Sequence, residues 1–238
     1  MTSAGGTAHR DSLVNAMAAP AIDELENAQR FQRIATFRHS NPAAFLQEYF
    51  HDYLLKPTIP IGVFLLLNAV AIGLIGVEWS RGGHGSKGLG DFGFGVILAF
   101  AFMPLHEALH GIAYKAFGAN DVRYKIQWRR AMAFAAAHRF VAGGREFFWV
   151  AILPTLVINP LLLGYAYFAP PAWKLTILSA LFVHIGFTSG DFALINFFYV
   201  HRQRQPATYD DMDAEASYFF VREPGDAVPT FGVSAKRT

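Results

Sequence analysis

The stretch Phe92-Gly-Phe-Gly-Val-Ile-Leu-Ala-Phe-Ala-Phe-Met-Pro-Leu-His106-Glu107-Ala-Leu-His110-Gly-Ile-Ala-Tyr-Lys-Ala-Phe117 decides how the chain is read. It is long enough to cross a hydrocarbon core of about 30 Å as a helix, yet it holds two histidines and a glutamate in its second half. Three more apolar stretches accompany it, at 59–77, 147–169 and 173–200. The composition agrees. Of 238 residues, 53% are hydrophobic, only 16% are charged, and Phe alone occurs 23 times. Mean hydropathy is +0.26. A soluble domain of this size has too little interior to hide so much apolar surface. The expectation is an integral membrane protein, all-α, with four transmembrane helices. No basic-then-apolar leader pattern opens the sequence, so no cleavable signal peptide is expected.

Charge distribution sets the expected orientation. Sixteen Lys and Arg lie in the N-terminal segment, in the 118–146 loop and after Val200. Only Arg81, Lys87 and Lys174 lie in the two opposite loops. The positive-inside bias therefore predicts a multi-pass protein of the cell membrane with both termini cytoplasmic. Residues 1–58 read as a cytoplasmic segment, partly helical, with helix-compatible stretches at 21–38 and 42–55. Residues 59–200 read as the membrane domain and 201–238 as a partly disordered cytoplasmic tail, its acidic run from Asp210 to Glu215 solvated. Strict alternation at Val122, Tyr124, Ile126 and Trp128 is of period two and predicts a strand. With a return strand from Met132 to Val141 it would make a short cytoplasmic-side β-hairpin over 122–141, between the second and third spans.

The chemistry lies in His106-Glu107-Ala-Leu-His110. Four residues on a helix separate two side chains by about 40° around the axis and about 6 Å along it, so both imidazoles can reach one metal ion. Glu107 beside them suits a general base. Ionisable groups inside an apolar span are costly and usually face a functional interior. A catalytic zinc site needs a third protein ligand and an open position. Asp191 is the other acid within a predicted span, and helical rise brings it to about the depth of the histidine pair, roughly 14–15 Å from the cytoplasmic boundary. His184 is the rival, seven residues earlier and about 10 Å displaced; a hydrogen-bonding role suits that depth better. Asn159, before Pro160 in the third span, could line the site or hydrogen-bond between helices. His138 reads as an interfacial histidine. With no Cys in the chain, thiolate catalysis and Cys-ligated zinc are excluded, and a net charge of +2 gives no reason to expect nucleic acid.

At these residues the sequence resembles the DUF3267 family of zincin peptidases, relatives of the site-2 proteases. The resemblance runs from about Phe92 to Asp211 and includes Pro154. It implies one Zn2+ held by His106, His110 and Asp191, with Glu107 as catalytic acid/base. Where site-2 proteases carry an Asn-Pro-x-Pro…Leu-Asp-Gly pattern, this chain has Ser-Gly-Asp191-Phe. The expected activity is a zinc metalloendopeptidase cleaving membrane-embedded or membrane-anchored protein substrates within the lipid bilayer. The edge strand at Val122, Tyr124 and Ile126 would capture the unwound segment by strand addition, with Asn159 beside it. The alternative is a metal-binding membrane protein or transporter that uses the same His/Asp site without hydrolysis. A base directly after the first histidine distinguishes the two, since ligation alone has no use for it. A di-iron hydroxylase needs more histidine boxes than this chain holds, and histidines four apart on one helix cannot take opposite axial positions on haem.

Overall fold

A computed structural model describes residues 20–39, 58–82, 85–127 and 132–224. After a short helix α1 (Ile22–Leu25) and strand β1 (Phe31–Arg38) come two long helices, α2 (Ile59–Gly82) and α3 (Gly85–Ala116). Strands β2 (Val122–Gln127), β3 (Met132–Ala137) and β4 (Ala142–Gly143) precede helices α4 (Gly144–Phe168), α5 (Pro171–Phe187) and α6 (Ser189–Val200). Strands β5 (Ala207–Asp211) and β6 (Ala216–Arg222) end the described chain. Helices α2, α3 and α4 are each long and apolar enough to cross a membrane, and α5 with α6 would add a fourth span if the bent pair counts as one. Their outer faces fit a lipid solvent. Leu66, Ile97 and Phe168 stay 63%, 64% and 82% exposed, where water would penalise them.

Inside the bundle, Leu109 of α3 and Ile158 and Leu162 of α4 pack against Ile177, Leu181 and Ile185 of α5. Gly95 marks a close approach of α3 to α5. A Cβ there would stand 2.4 Å from the Thr176 carbonyl oxygen and 2.6 Å from Ser179 Cβ. Backbone cannot yield as a flexible side chain does. Gly95→Ala should therefore cost about 1–3 kcal/mol of stability, read as a lowered thermal unfolding midpoint of the purified protein. An unchanged midpoint would mean that the two helices are free to separate.

The stretch 173–200, expected as one helix, is two. It breaks at Thr188 (ψ 0°) with a 41° bend. The Thr188 hydroxyl donates to the Ile185 carbonyl at 2.7 Å, a local bond that competes with the helical ladder. Gly186 and Gly190 on either side hold the helix weakly. The restart matters for the site, because it puts Asp191 in the first turn of α6, where the helix dipole favours an acid.

The expectation of an all-α chain with one hairpin is corrected by a second sheet. β2 and β3 pair antiparallel with Tyr124 opposite Ala135, so the expected hairpin is present. Its return strand stops at Ala137 rather than Val141, and the Arg129–Arg130 turn lies outside the described residues, as do 40–57 with the stretch 42–55. The second sheet, of order β1-β6-β5-β4, overturns one reading. Phe31–Arg38, read as helix-compatible, is a strand paired with β6. Within the segment read as a partly disordered tail, β5 and β6 form, and their residues Ala207, Tyr209, Phe219, Phe220 and Val221 are buried.

This sheet rests on the helices through Phe197, which meets Phe219 edge-on at 5.2 Å, while Phe198 stacks on Phe147 at 4.5 Å. It also grips the hairpin. Arg123 pairs with Asp213 at 2.8 Å, and Lys125 pairs with Glu215. His39 lies edge-on to Phe134 at 4.8 Å. Hairpin and sheet together form a cap over one end of the helices.

Candidate metal centre

His106 and His110 come from one face of α3, and their Nε2 atoms stand 3.1 Å apart. Asp191, brought over by the restart of α6, lies with Oδ2 at 3.3 Å from His106 Nε2 and Oδ1 at 3.4 Å from His110 Nε2. Those separations suit a common ion. Ligand atoms about 2.0–2.1 Å from a tetrahedral zinc are about 3.3 Å from one another. Both histidines are buried, and Asp191 Oδ2 is buried without a hydrogen-bond partner. Two imidazoles and a carboxylate form a hard-to-borderline donor set that fits Zn2+.

The distal ring nitrogens are engaged. His110 Nδ1 meets the Val150 carbonyl at 2.8 Å. His106 Nδ1 meets His184 Nε2 at 3.1 Å, and His184 Nδ1 meets the Asn159 side-chain oxygen at 2.6 Å. His184, the rival ligand, thus stands behind His106 rather than beside Asp191. Asn159 is buried behind His184 and does not line the cavity next to the triad.

That cavity holds about 400 Å³ and opens between α3, α4, α6 and the cap. Glu107 borders it. The Ala135 backbone N–H donates to the Glu107 carboxylate, and Glu107 Oε2 is buried without a partner. The outer edge of β3 therefore faces the triad, and Ala133, Phe134 and Ala135 line the cavity. The strand expected to do so, β2, is the far one. Val122 and Tyr124 are not among the lining residues, Tyr124 instead turning its hydroxyl onto Gly111. The side chain of Ile126 lies outside the described residues. Pairing explains the exchange: in a two-stranded ribbon only the strand turned toward α3 can offer its free edge.

The remaining lining was not anticipated. Tyr114, two turns beyond Glu107 on α3, could have been found from its spacing. Phe37, His39, Ser217 and Phe219 arrive from the cap sheet, and no local pattern announces them. His39 is buried, with its Nε2 at 3.0 Å from Ser217 Oγ, and Ser217 donates to Asp210. Burial and the nearby Lys125 ammonium hold His39 below its ordinary pKa, while burial pushes the Asp210 carboxyl up to about 6.

A second group, His138, Asp211 and Asp213, also brings potential ligand atoms together. Its acids are already spoken for. Asp213 pairs with Arg123, and Asp211 accepts from two backbone N–H groups of its own turn. His138 accepts from the Met212 N–H.

No curated protein and no solved structure matches the chain. A family model does, and its span runs from the middle of α3 to the end of the helical region, enclosing His106, Glu107, His110, Val150, Asn159, His184 and Asp191. Residues 99–205 of this chain match the family DUF3267, described as putative zincin peptidase, which is the family that the histidine and aspartate motifs resemble.

Proposed function

We propose that the protein is an intramembrane zinc metalloprotease of site-2 protease type. It cleaves peptide bonds of membrane-embedded or membrane-anchored proteins, with one Zn2+ on His106, His110 and Asp191. The observation that carries this reading is the convergence of two imidazoles and one carboxylate, at separations of 3.1 to 3.4 Å, beside a second carboxylate with an oxygen left unpartnered. The apolar outer faces of the surrounding helices support four spans, the last one bent. The Lys/Arg distribution supports termini and cap on the cytoplasmic side.

When bound, zinc supplies Lewis acidity and lowers the pKa of a water to about 7. Glu107 takes the proton from the attacking water and hands it to the leaving amine. The Ala135 N–H keeps the Glu107 carboxylate aimed at the cavity. A substrate helix must unwind before its carbonyl is accessible, and the free edge of β3 offers backbone groups to pair with the extended segment. The small side chains of Ala133 and Ala135 leave that edge open.

The alternative is a membrane protein that holds the same metal without hydrolysis, and Glu107 argues against it, since ligation by the triad does not need a base there. The test is cleavage of a single-span substrate in proteoliposomes together with metal analysis of the purified protein. One equivalent of zinc is expected, with cleavage lost to a chelator and restored by zinc. Metal-loaded protein that cleaves no membrane-anchored substrate would favour the non-hydrolytic reading.

A further inference from the structure

A zinc-binding imidazole must present a lone pair from one ring nitrogen and carry its proton on the other. In both histidines Nε2 points at Asp191, so both must be protonated at Nδ1. The surroundings enforce this by two different devices.

For His110 the acceptor is the Val150 carbonyl, 2.8 Å from Nδ1. Val150 lies inside α4, where a carbonyl ordinarily accepts from the N–H four residues ahead. Four residues ahead is Pro154, which has no N–H. The proline thus leaves one carbonyl without a helical partner in a region where water cannot supply one, and His110 supplies the missing donor. Pro160 in the same helix frees the Leu156 carbonyl in the same way, but Leu156 is exposed on the outer face, and no side chain of the triad is bonded there. One proline serves the metal centre and the other does not.

For His106 the acceptor is another imidazole. Nδ1–H of His106 donates to His184 Nε2 at 3.1 Å. His184 must then carry its own proton on Nδ1, and that proton is donated to the Asn159 oxygen at 2.6 Å. Asn159 closes the relay because its carbonyl oxygen can only accept. Asn159 Nδ2 is left buried without a partner, so the amide orientation serves His184 rather than its own donor. His184 is fully buried.

We propose that Pro154, through the carbonyl it frees on Val150, and the His184–Asn159 pair are positioning residues that set the tautomers of His110 and His106 and thereby the affinity of the metal centre. The proposal rests on the metal centre of the preceding subsection, so the experiment first measures the unmodified protein. The full-length protein, stripped with a chelator in detergent, is titrated with Zn2+ against a chromophoric competitor. Co2+ absorption then reports the coordination geometry.

Pro154→Ala should weaken zinc binding roughly tenfold, because the new N–H competes with His110 for Val150; Pro160→Ala should change it less than about twofold. His184→Phe should weaken it roughly 10- to 100-fold, the range for lost outer-shell partners. His184→Gln, which keeps an acceptor and a donor, should recover part of that loss. A merely structural role of a helix-bending proline would move both proline variants alike. Should His184→Phe not fold, Asn159→Leu tests the same relay one bond further out and should also weaken binding. Equal affinities for Pro154→Ala and Pro160→Ala, or wild-type affinity and an unchanged Co2+ spectrum in the relay variants, would overturn the proposal. Absence of zinc binding in the unmodified protein would overturn the metal centre itself, and the proposal with it.

Discussion

Glu107→Gln is expected to keep the metal and lose hydrolysis. The substitution preserves shape, and its carbonyl oxygen can still accept from the Ala135 N–H that holds the native carboxylate. What it removes is proton affinity, because an amide cannot take a proton from water near neutral pH. General-base catalysis is worth about 10²–10⁴ in rate, so cleavage should fall by at least the lower of those factors while zinc stoichiometry stays at one. Elemental analysis and a cleavage time course on the same preparation read both quantities. Zinc lost together with activity would make Glu107 a ligand. Activity retained would exclude it as the base.

Asp191→Ala should act on the metal instead. Its two oxygens stand 3.3 and 3.4 Å from the two imidazole nitrogens, so its removal deletes one of three protein ligands and the negative charge facing both histidines. Structural zinc sites with four ligands bind with about 10–16 kcal/mol. One ligand's share then corresponds to a loss on the order of 10²–10³-fold in affinity, larger than the loss expected for His184→Phe. The ranking separates the two candidates for third ligand. If His184→Phe proved the more damaging of the two in a chelator-competition titration, the roles of Asp191 and His184 would have to be exchanged.

Much of the centre is legible locally. His106, Glu107 and His110 belong together because helical geometry is periodic and short-ranged, and nothing elsewhere in the chain alters the angle between side chains four apart. The membrane-length helices are equally local, since about twenty apolar residues have few stable solutions other than a helix in lipid. The period-two run from Val122 carried its strand for the same reason. Asp191 could be matched in depth from charge asymmetry and helical rise alone, although the bend at Thr188 that turns it toward the histidines comes from a threonine back-bond between two glycines, which hydropathy does not register.

Other features depend on partners distant in sequence. Phe31–Arg38 can be read as helix or strand; it is a strand because β6, almost 180 residues later, supplies its hydrogen bonds. The acidic run from Asp210 looks solvated until Asp210 and Asp211 are drawn into β5. Which edge of the hairpin faces the metal centre depends on how it packs on α3, and the far strand carries the clearer alternation. His184 and Pro154 show the division most sharply. A histidine and a proline in apolar helices have many uses, and only the approach of α4 and α5 to α3 turns one into a proton acceptor for His106 and the other into the reason a carbonyl is open to His110. The helices, the strand alternation and the histidine pair can be read from the chain alone, because they follow from periodicity along one segment. The cap, the open edge and the partners behind the ligands come only from folding, because they are pairings between segments that no single stretch encodes.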